Sequence, residues 1–192
     1  MKRIAFLVSG SGTNMENLIK RIRAGEIPAD PVIVISNKPG VKALEKAAAL
    51  GVKTRVIDHT AYGDREAFDK ALSECLESHK IDFVVLAGFM RVLTGGFVKK
   101  YHGRLINIHP AFLPAFPGAH AIKDAWDAQV KETGVSVHFV DTGVDTGAVI
   151  LQRKVPVLAD DTLEALEARV HQIEYEIYPE ALSLVLSGKA KV

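Results

Sequence analysis

The chain has 192 residues, of which 48% are hydrophobic and 24% are charged, as is typical of a globular protein of one domain. Its formal net charge of +1 excludes the bulk basicity by which many proteins attract nucleic acid or anionic membranes. The single cysteine, Cys75, excludes an internal disulfide bond and a metal site built from a cysteine cluster. The N-terminal apolar run, Ile4–Val8, is too short for a secretion signal or a membrane span, so we expect a cytoplasmic protein.

Short apolar segments alternate with helical patterns through the first half of the chain. Because the apolar segments are nearly continuous, they predict strands with both faces covered. Strands that alternate with helices in this way indicate right-handed βαβ units on a parallel sheet. The predicted strands are Arg3–Val8, Val32–Ile35, Lys53–Ile57 and Ile81–Ala87, and the predicted helices are Asn14–Arg23, Gly40–Leu50 and Asp64–His79.

The second half has a different pattern. Its last two strands are joined by a short glycine-rich link, which suits antiparallel neighbours better than a crossover. The final helix is expected to begin at Asp161, with Glu164 completing a capping box, and Pro179 should break or kink it. The predicted elements before it are the strand Leu105–Ile108, the helix Ile122–Val130, and the strands Gly134–Val140 and Ala148–Val157.

The segment "SGSGTN", Ser9–Asn14, follows the first strand and opens the first helix. Small residues allow a sharp turn, and the free N–H groups at a helix start favour a phosphate. The segment lacks the third glycine of a dinucleotide-binding loop and the lysine of a P-loop. Either it binds a phosphomonoester through Gly12, Thr13 and Asn14, or it is only a tight turn with a helix cap.

The segment "LINIHP" places an amide and an imidazole at the end of a buried strand. Because strand side chains alternate between faces, Asn107 and His109 share one face and lie roughly 7 Å apart. Pro110 ends the strand, so these polar groups are expected to stay free at the edge where α/β sheets bind ligands. An amide donor beside an imidazole suits a developing oxyanion. The alternative is a strand-end histidine bonded to the backbone.

A glycine-rich loop, "DTGVDTGAVI", adds two carboxylates that could approach His109. Asp145 has a glycine two residues away on either side, so its backbone could bend toward a site. A carboxylate there would orient the imidazole and favour its protonated form. Asp141 and Asp145 could equally be turn formers. The spacing alone leaves these two interpretations open.

Taken together, these motifs resemble one family over essentially the whole chain, the phosphoribosylglycinamide formyltransferases (GAR transformylases) of the folate-dependent formyltransferase superfamily. The matching segments are "SGSGTN", "LAGFMRVL", "INIHPAFLPAFPG", "GVSVHFVDTGVDTGAVILQ" and "EYEIYP". The resemblance implies an α/β fold with a Rossmann-like, mostly parallel twisted sheet. That sheet would have about seven strands, helices on both faces and one antiparallel strand in the C-terminal half.

The resemblance also implies a reaction and a set of ligands. A formyl group would pass from 10-formyltetrahydrofolate, as co-substrate, to the amine of glycinamide ribonucleotide, a step of de novo purine biosynthesis without a metal. Residues 1–192 would form one domain, in which residues 1–100 or so bind the ribonucleotide phosphate and residues 101–192 supply catalysis and folate binding. The partners would be these two small molecules, with no nucleic acid and no membrane, and the protein would be a monomer or a homodimer.

By the same resemblance, the site residues form three groups. The catalytic residues would be Asn107, His109 and Asp145. The ribonucleotide would contact Gly12, Thr13, Asn14, His171, Gln172, Ile173 and Glu174. The folate would contact Arg65, Met90, Arg91, Val92, Leu93, Asn107, Asp141, Thr142, Gly143, Val144 and Asp145.

Three other functions use related residues. A formyltetrahydrofolate deformylase would use the same catalytic residues with water as acceptor, and usually has a further N-terminal regulatory domain. A methionyl-tRNA formyltransferase would have a C-terminal tRNA-binding domain and basic surface, neither expected at 192 residues and a charge of +1. A non-catalytic nucleotide-binding domain would not need Asn107, His109 and Asp145 together.

Overall fold

The structure, a computed structural model, describes all residues from 1 to 192. Its strands are β1 (Lys2–Val8), β2 (Ala29–Ser36), β3 (Lys53–Val56), β4 (Phe83–Leu86), β5 (Leu105–His109), β6 (Glu132–Phe139) and β7 (Val149–Pro156). Its helices are α1 (Thr13–Arg23), α2 (Lys42–Ala49), α3 (Arg65–Ser78), α4 (Gly95–Lys100), α5 (Ala121–Asp127) and α6 (Leu163–Leu186), with a 3-10 turn at His59–Ala61.

All seven strands form one sheet in the order β3-β2-β1-β4-β5-β6-β7. The pairings from β3 across to β5 are parallel, whereas β5–β6 and β6–β7 are antiparallel. Strand β6 therefore runs opposite to the other six. The predicted fold class, a mostly parallel sheet with one antiparallel strand in the C-terminal half, is confirmed.

Both faces of the sheet are covered by helices. Along β1, Ile4 and Phe6 face one core, which also contains side chains of α1, α2, α5 and α6. Ala5 and Leu7 face the other core, which is closed by α3 and α4. This alternation explains why β1 is a continuous apolar run in the sequence. None of the helices is both long and apolar enough to cross a membrane.

The start of α6 differs from the prediction. Its cap is Thr162, whose hydroxyl accepts the N–H of Ala165, and not Asp161 with Glu164. Asp161 instead accepts the N–H of Leu158 and forms a two-pronged ion pair with Arg169. This pairing lowers the pKa of Asp161 to about 2. The capping-box prediction was wrong because the sequence offers two good capping residues, Asp161 and Thr162. The ion pair with Arg169 engages the Asp161 carboxylate, so Thr162 caps the helix.

The sequence also gave no indication of α4. This helix has only six residues and begins with two glycines, so it shows no helical periodicity in the sequence. Thr94 caps it by accepting the N–H of Phe97.

Pro179 does not break α6, which continues to Leu186. A proline inside a helix leaves the carbonyl four residues earlier without its N–H donor. That carbonyl belongs to Tyr175, and it accepts a hydrogen bond of 2.9 Å from Nδ2 of Asn17 on α1. A side chain of the neighbouring helix thus replaces the missing backbone donor, so the helix tolerates the proline.

We expect Asn17→Ala to lower the free energy of unfolding by about 1 kcal/mol, because it leaves the half-buried Tyr175 carbonyl without a partner. The control is the same substitution in a Pro179→Ala background, where the backbone N–H at position 179 can satisfy that carbonyl. Urea denaturation of the four proteins should then give a smaller cost in the control background. An equal cost in both backgrounds would mean that Asn17 acts through something other than this carbonyl.

Candidate active site

A continuous cleft follows the carboxyl ends of β1, β4 and β5 and consists of three adjoining pockets. The loop pocket lies beside Ser9–Asn14, the Asp-loop pocket beside Asp141–Asp145, and the central pocket between them. Met90 lines both the loop pocket and the central pocket. Asn107 and Asp145 line both the central pocket and the Asp-loop pocket. Ligands in the two outer pockets would therefore meet at the end of β5.

Asn107 and His109 lie on β5, and the antiparallel register sets His138 opposite Asn107 and Ser136 opposite His109. The strand-end imidazole does not stay free, contrary to our expectation, since His109 is only 4% exposed. The loop after Pro110 folds over it, and Nε2 of His109 donates to the carbonyl of Phe116 at 2.7 Å. Any acceptor that uses this N–H must first displace the loop carbonyl.

Asp145 reaches His109 from the loop between β6 and β7. Its Oδ2 lies 3.4 Å from Nδ1 of His109 and accepts the N–H of Gly118 at 2.9 Å. The backbone of Asp145 is left-handed, with φ of +53°, which the flanking glycines help the loop to reach. Asp141, by contrast, accepts the N–H of Gly143 and the hydroxyl of Thr146 and so forms the turn. The structure separates the two carboxylates that the sequence could not tell apart.

Electrostatics keep Asp145 ionised despite its burial. Burial alone would raise the pKa of this carboxyl. The hydrogen bonds from His138 and from the Gly118 N–H, together with the two imidazoles, outweigh burial and lower the pKa of Asp145 below its usual range. A carboxylate at neutral pH is therefore fixed against both histidines.

His138 is a member of this cluster that sequence reasoning missed. It is buried, and its Nδ1 donates to the carbonyl of Phe139 at 2.8 Å. Its Nε2 lies 3.5 Å from Oδ1 of Asp145 and 3.5 Å from Nδ2 of Asn107. The period-two pattern of β6 put His138 on one face of a strand, but only the pairing of β6 with β5 brings it to Asn107.

The loop Ser9–Asn14 presents unpaired backbone donors to its pocket. The N–H groups of Thr13, Asn14 and Met15 have no hydrogen-bond partner, as is usual at a helix start. Gly12 has a left-handed φ of +69°, and a β-carbon on it would lie 2.5 Å from that of Ala43 in α2. The packing of α2 therefore requires glycine at position 12, whether or not a ligand also approaches the backbone there.

Across the loop pocket, α6 contributes a polar cluster that is tied to α1. One carboxylate oxygen of Glu174, which is 5% exposed, accepts from Nδ2 of Asn14 at 3.1 Å and from Nδ1 of His171 at 2.8 Å. The Oδ1 atom of Asn14 is buried without a partner.

The remaining predicted site residues divide between the cleft and other surfaces. Those that line the Asp-loop pocket are Arg91, Val92, Leu93, Asp141, Thr142, Gly143 and Val144. Gln172 is exposed and Ile173 packs toward the core, and neither lines the cleft. Arg65 is exposed at the start of α3 and lines none of the three pockets. The guanidinium of Arg91 stacks instead over Phe68 of that helix, 4.7 Å from the ring centre.

Two buried polar contacts hold the walls of the cleft. The hydroxyl of Tyr178 in α6 donates to the Leu86 carbonyl at the end of β4, at 2.6 Å. Burial raises the pKa of Tyr178 well above its usual value, so the phenol remains a donor. Ser9 accepts the N–H of Met90 and donates to Asn37, which fixes the segment shared by the loop and central pockets.

Comparison with known proteins defines the class to which this fold and cleft belong. Residues 2–182 match the family model described as formyl transferase. The phosphoribosylglycinamide formyltransferase of Bacillus subtilis is 37% identical over 97% of this chain and 95% of its own length. The chain belongs to the phosphoribosylglycinamide formyltransferase family.

Solved structures and longer relatives agree with this assignment. The crystal structure of glycinamide ribonucleotide transformylase 1 from Symbiobacterium toebii superposes with a TM-score of 0.95 at 45% identity, covering 98% of this chain and 89% of that one. The trifunctional purine biosynthetic protein adenosine-3 of Drosophila melanogaster is 47% identical over the whole chain. The chain spans only 14% of that longer protein.

Proposed function

We propose that this protein transfers the formyl group of 10-formyltetrahydrofolate to the amine of glycinamide ribonucleotide, giving formylglycinamide ribonucleotide and tetrahydrofolate in the third step of de novo purine biosynthesis. The observation that carries the proposal is the cluster of Asn107, His109 and Asp145 at the junction of the pockets. Family membership supports the reaction class. The two outer pockets provide separate places for a donor and an acceptor.

In the proposed mechanism the substrate amine attacks the formyl carbon directly, so no enzyme nucleophile is needed. The formyl oxygen gains negative charge in the tetrahedral intermediate. Asn107 donates to that oxygen, and Nε2–H of His109 stabilises it once the oxygen has replaced the Phe116 carbonyl. The intermediate collapses when the bond between the formyl carbon and the folate nitrogen breaks. The proton lost by the attacking amine is transferred to that leaving nitrogen, a step that Asp145 supports while it holds the imidazole through Nδ1.

The division of the cleft supports the assignment of the ligands. The unpaired N–H groups of Thr13 and Asn14 suit the phosphate of the ribonucleotide, with Glu174 near its sugar. The mixed apolar and polar Asp-loop pocket suits the folate, in contact with Arg91 and Val144. In this proposal, residues 1–192 act as one domain, with phosphate binding in the N-terminal half and catalysis and folate binding in the C-terminal half. It stays a prediction that Arg65 contacts the folate and that Gln172 and Ile173 contact the ribonucleotide. The cytoplasmic location and the choice between monomer and homodimer also stay predictions.

The test is to follow product and formate with and without glycinamide ribonucleotide. A transferase should form the formylated ribonucleotide in amounts equal to the tetrahydrofolate released, and should release little formate when the ribonucleotide is omitted. Formate release that is independent of the ribonucleotide would indicate a deformylase instead. A folded protein that does neither would contradict the proposal of catalysis.

Thr13→Ala should raise KM for glycinamide ribonucleotide by about 3–10-fold, because one hydroxyl donor at the phosphate is worth about 0.5–1.5 kcal/mol. The KM for 10-formyltetrahydrofolate should change little, since that ligand occupies the other end of the cleft. Steady-state kinetics with each substrate varied in turn measure both values. A change confined to the folate KM would mean that the two ligands are assigned to the wrong pockets.

Gly12→Val, by contrast, should destabilise the whole protein, and it is not a clean test of phosphate binding. A β-branched residue would be forced into a left-handed conformation against Ala43. Thermal unfolding should show a lower Tm for Gly12→Val than for Thr13→Ala. Equal Tm values would contradict the packing argument.

A further inference from the structure

The loop pocket lacks the basic side chains that usually accompany a phosphate. It has a volume of about 300 Å³ and is lined by thirteen residues, none of them lysine or arginine. His171 and Glu174 are its only ionisable side chains. A phosphate dianion bound there would meet backbone N–H groups and one group that can become positive, the imidazole of His171.

The geometry of His171 leaves one nitrogen available to a ligand. Nδ1 bonds to the buried carboxylate of Glu174, and this requires Nδ1 to carry a proton. Nε2 has no hydrogen-bond partner, and the side chain is 49% exposed. Because Asn14 bonds to the same carboxylate oxygen, the imidazole is tied to the first turn of α1, where the free N–H groups lie.

The charges around His171 favour its protonated form. Two carboxylates of its own helix act on it, Glu174 in direct contact and Glu167 at longer range. The other elements that line the pocket, α1 and the loops after β1, β4 and β5, present polar or apolar side chains there and no ionisable one. The hydrogen bond that Nδ1 of His171 donates to Glu174 outweighs burial and raises the pKa of His171 above its usual 6.5.

We propose that His171 is a proton-dependent phosphate-binding residue, whose imidazolium donates from Nε2 to the substrate phosphate while Glu174 holds the ring from the other side. This inference rests on the proposed function only for the identity of the substrate. Any ribose phosphate that fits the loop pocket would be bound in the same way.

The proposal predicts a pH window for binding. A phosphomonoester becomes a dianion above about pH 6, so affinity should be high from there upward. It should then fall as the pH rises past the point where His171 loses its proton. Because the amine of glycinamide ribonucleotide also titrates, near pH 8 as an ordinary α-amino group, the substrate itself gives a mixed signal. Ribose 5-phosphate has no amine and therefore reports on the phosphate site alone.

The experiment is calorimetric titration of the protein with ribose 5-phosphate from pH 6.5 to pH 9.5. For the wild type we expect Kd to rise roughly tenfold across this range, as for the loss of one charge-assisted hydrogen bond. His171→Gln keeps a donor without the charge and should bind weakly at every pH, with a flat profile. His171→Lys should bind well throughout, because lysine keeps its proton to about pH 10.

Two further variants separate a charge effect from a structural one. Glu174→Gln should move the rise in Kd to lower pH, since the imidazole loses its carboxylate. His102→Gln removes an exposed histidine outside the cleft and should reproduce the wild-type profile. A flat wild-type profile, no binding at any pH, or an unchanged pH dependence in His171→Gln would overturn the proposal. If ribose 5-phosphate behaves as expected but glycinamide ribonucleotide is not formylated, the proposed function fails and the role of His171 stands.

Discussion

His109→Ala is expected to lower kcat for formyl transfer by roughly 10²–10⁴-fold, the usual contribution of a general acid–base residue. The imidazole lies at the end of β5 and can both donate to the formyl oxygen and exchange a proton. Its contact with Asp145 through Nδ1 leaves Nε2 as the reactive side of the ring. The KM for either substrate should change much less than kcat, because His109 does not line the loop pocket or the Asp-loop pocket.

The control for this prediction must allow for burial. Removing a buried ring also leaves a cavity, so His109→Gln is measured beside it, since glutamine fills more of the space and retains a donor but cannot relay a proton. His102→Ala removes an exposed histidine and should leave kcat and Tm as in the wild type. Near-wild-type turnover in a folded His109→Ala protein would remove His109 from the mechanism.

The central part of the fold was predictable because it depends on local patterns. The alternation of residues along β5 and the stop at Pro110 were enough to place Asn107 and His109 together at the carboxyl edge of the sheet. The continuous apolar run of β1 indicated a strand covered on both faces. These inferences need only the period of a strand and the chemistry of proline.

What the sequence could not predict depends on contacts between distant residues. His138 meets Asn107 through the antiparallel register of β5 and β6, and a shift of one residue would turn it to the other face. The Phe116 carbonyl closes over His109 only because of the path of a loop. Likewise, Asn17 satisfies the Tyr175 carbonyl from another helix, so Pro179 alone misleads about where α6 ends.

The second large effect is expected from Asp145→Asn, which should lower kcat/KM by roughly 10²–10³-fold. The substitution removes the negative charge that faces both His109 and His138. Burial alone would favour the neutral carboxyl group, so the contacts around Asp145 maintain this charge. Because the pKa of Asp145 lies below its usual range, the wild-type carboxylate stays ionised from neutral pH down into the acid range. Neutralising it by substitution should therefore have its full effect at pH 7.

The fold should survive this change, which makes the effect on activity interpretable. Asparagine is among the residues that best tolerate the left-handed backbone found at position 145, and its amide is nearly the same size as the carboxyl group. The matched control is Asp141→Asn in the same loop, where the amide oxygen can still accept from Gly143 and Thr146. For Asp141→Asn we expect kcat/KM to fall less than tenfold, mainly because the KM for the folate rises. The measurements are steady-state kinetics and Tm for both variants. Equal losses at the two positions would mean that Asp145, like Asp141, only shapes the loop. The negative charge of the Asp145 carboxylate would then have no part in formyl transfer.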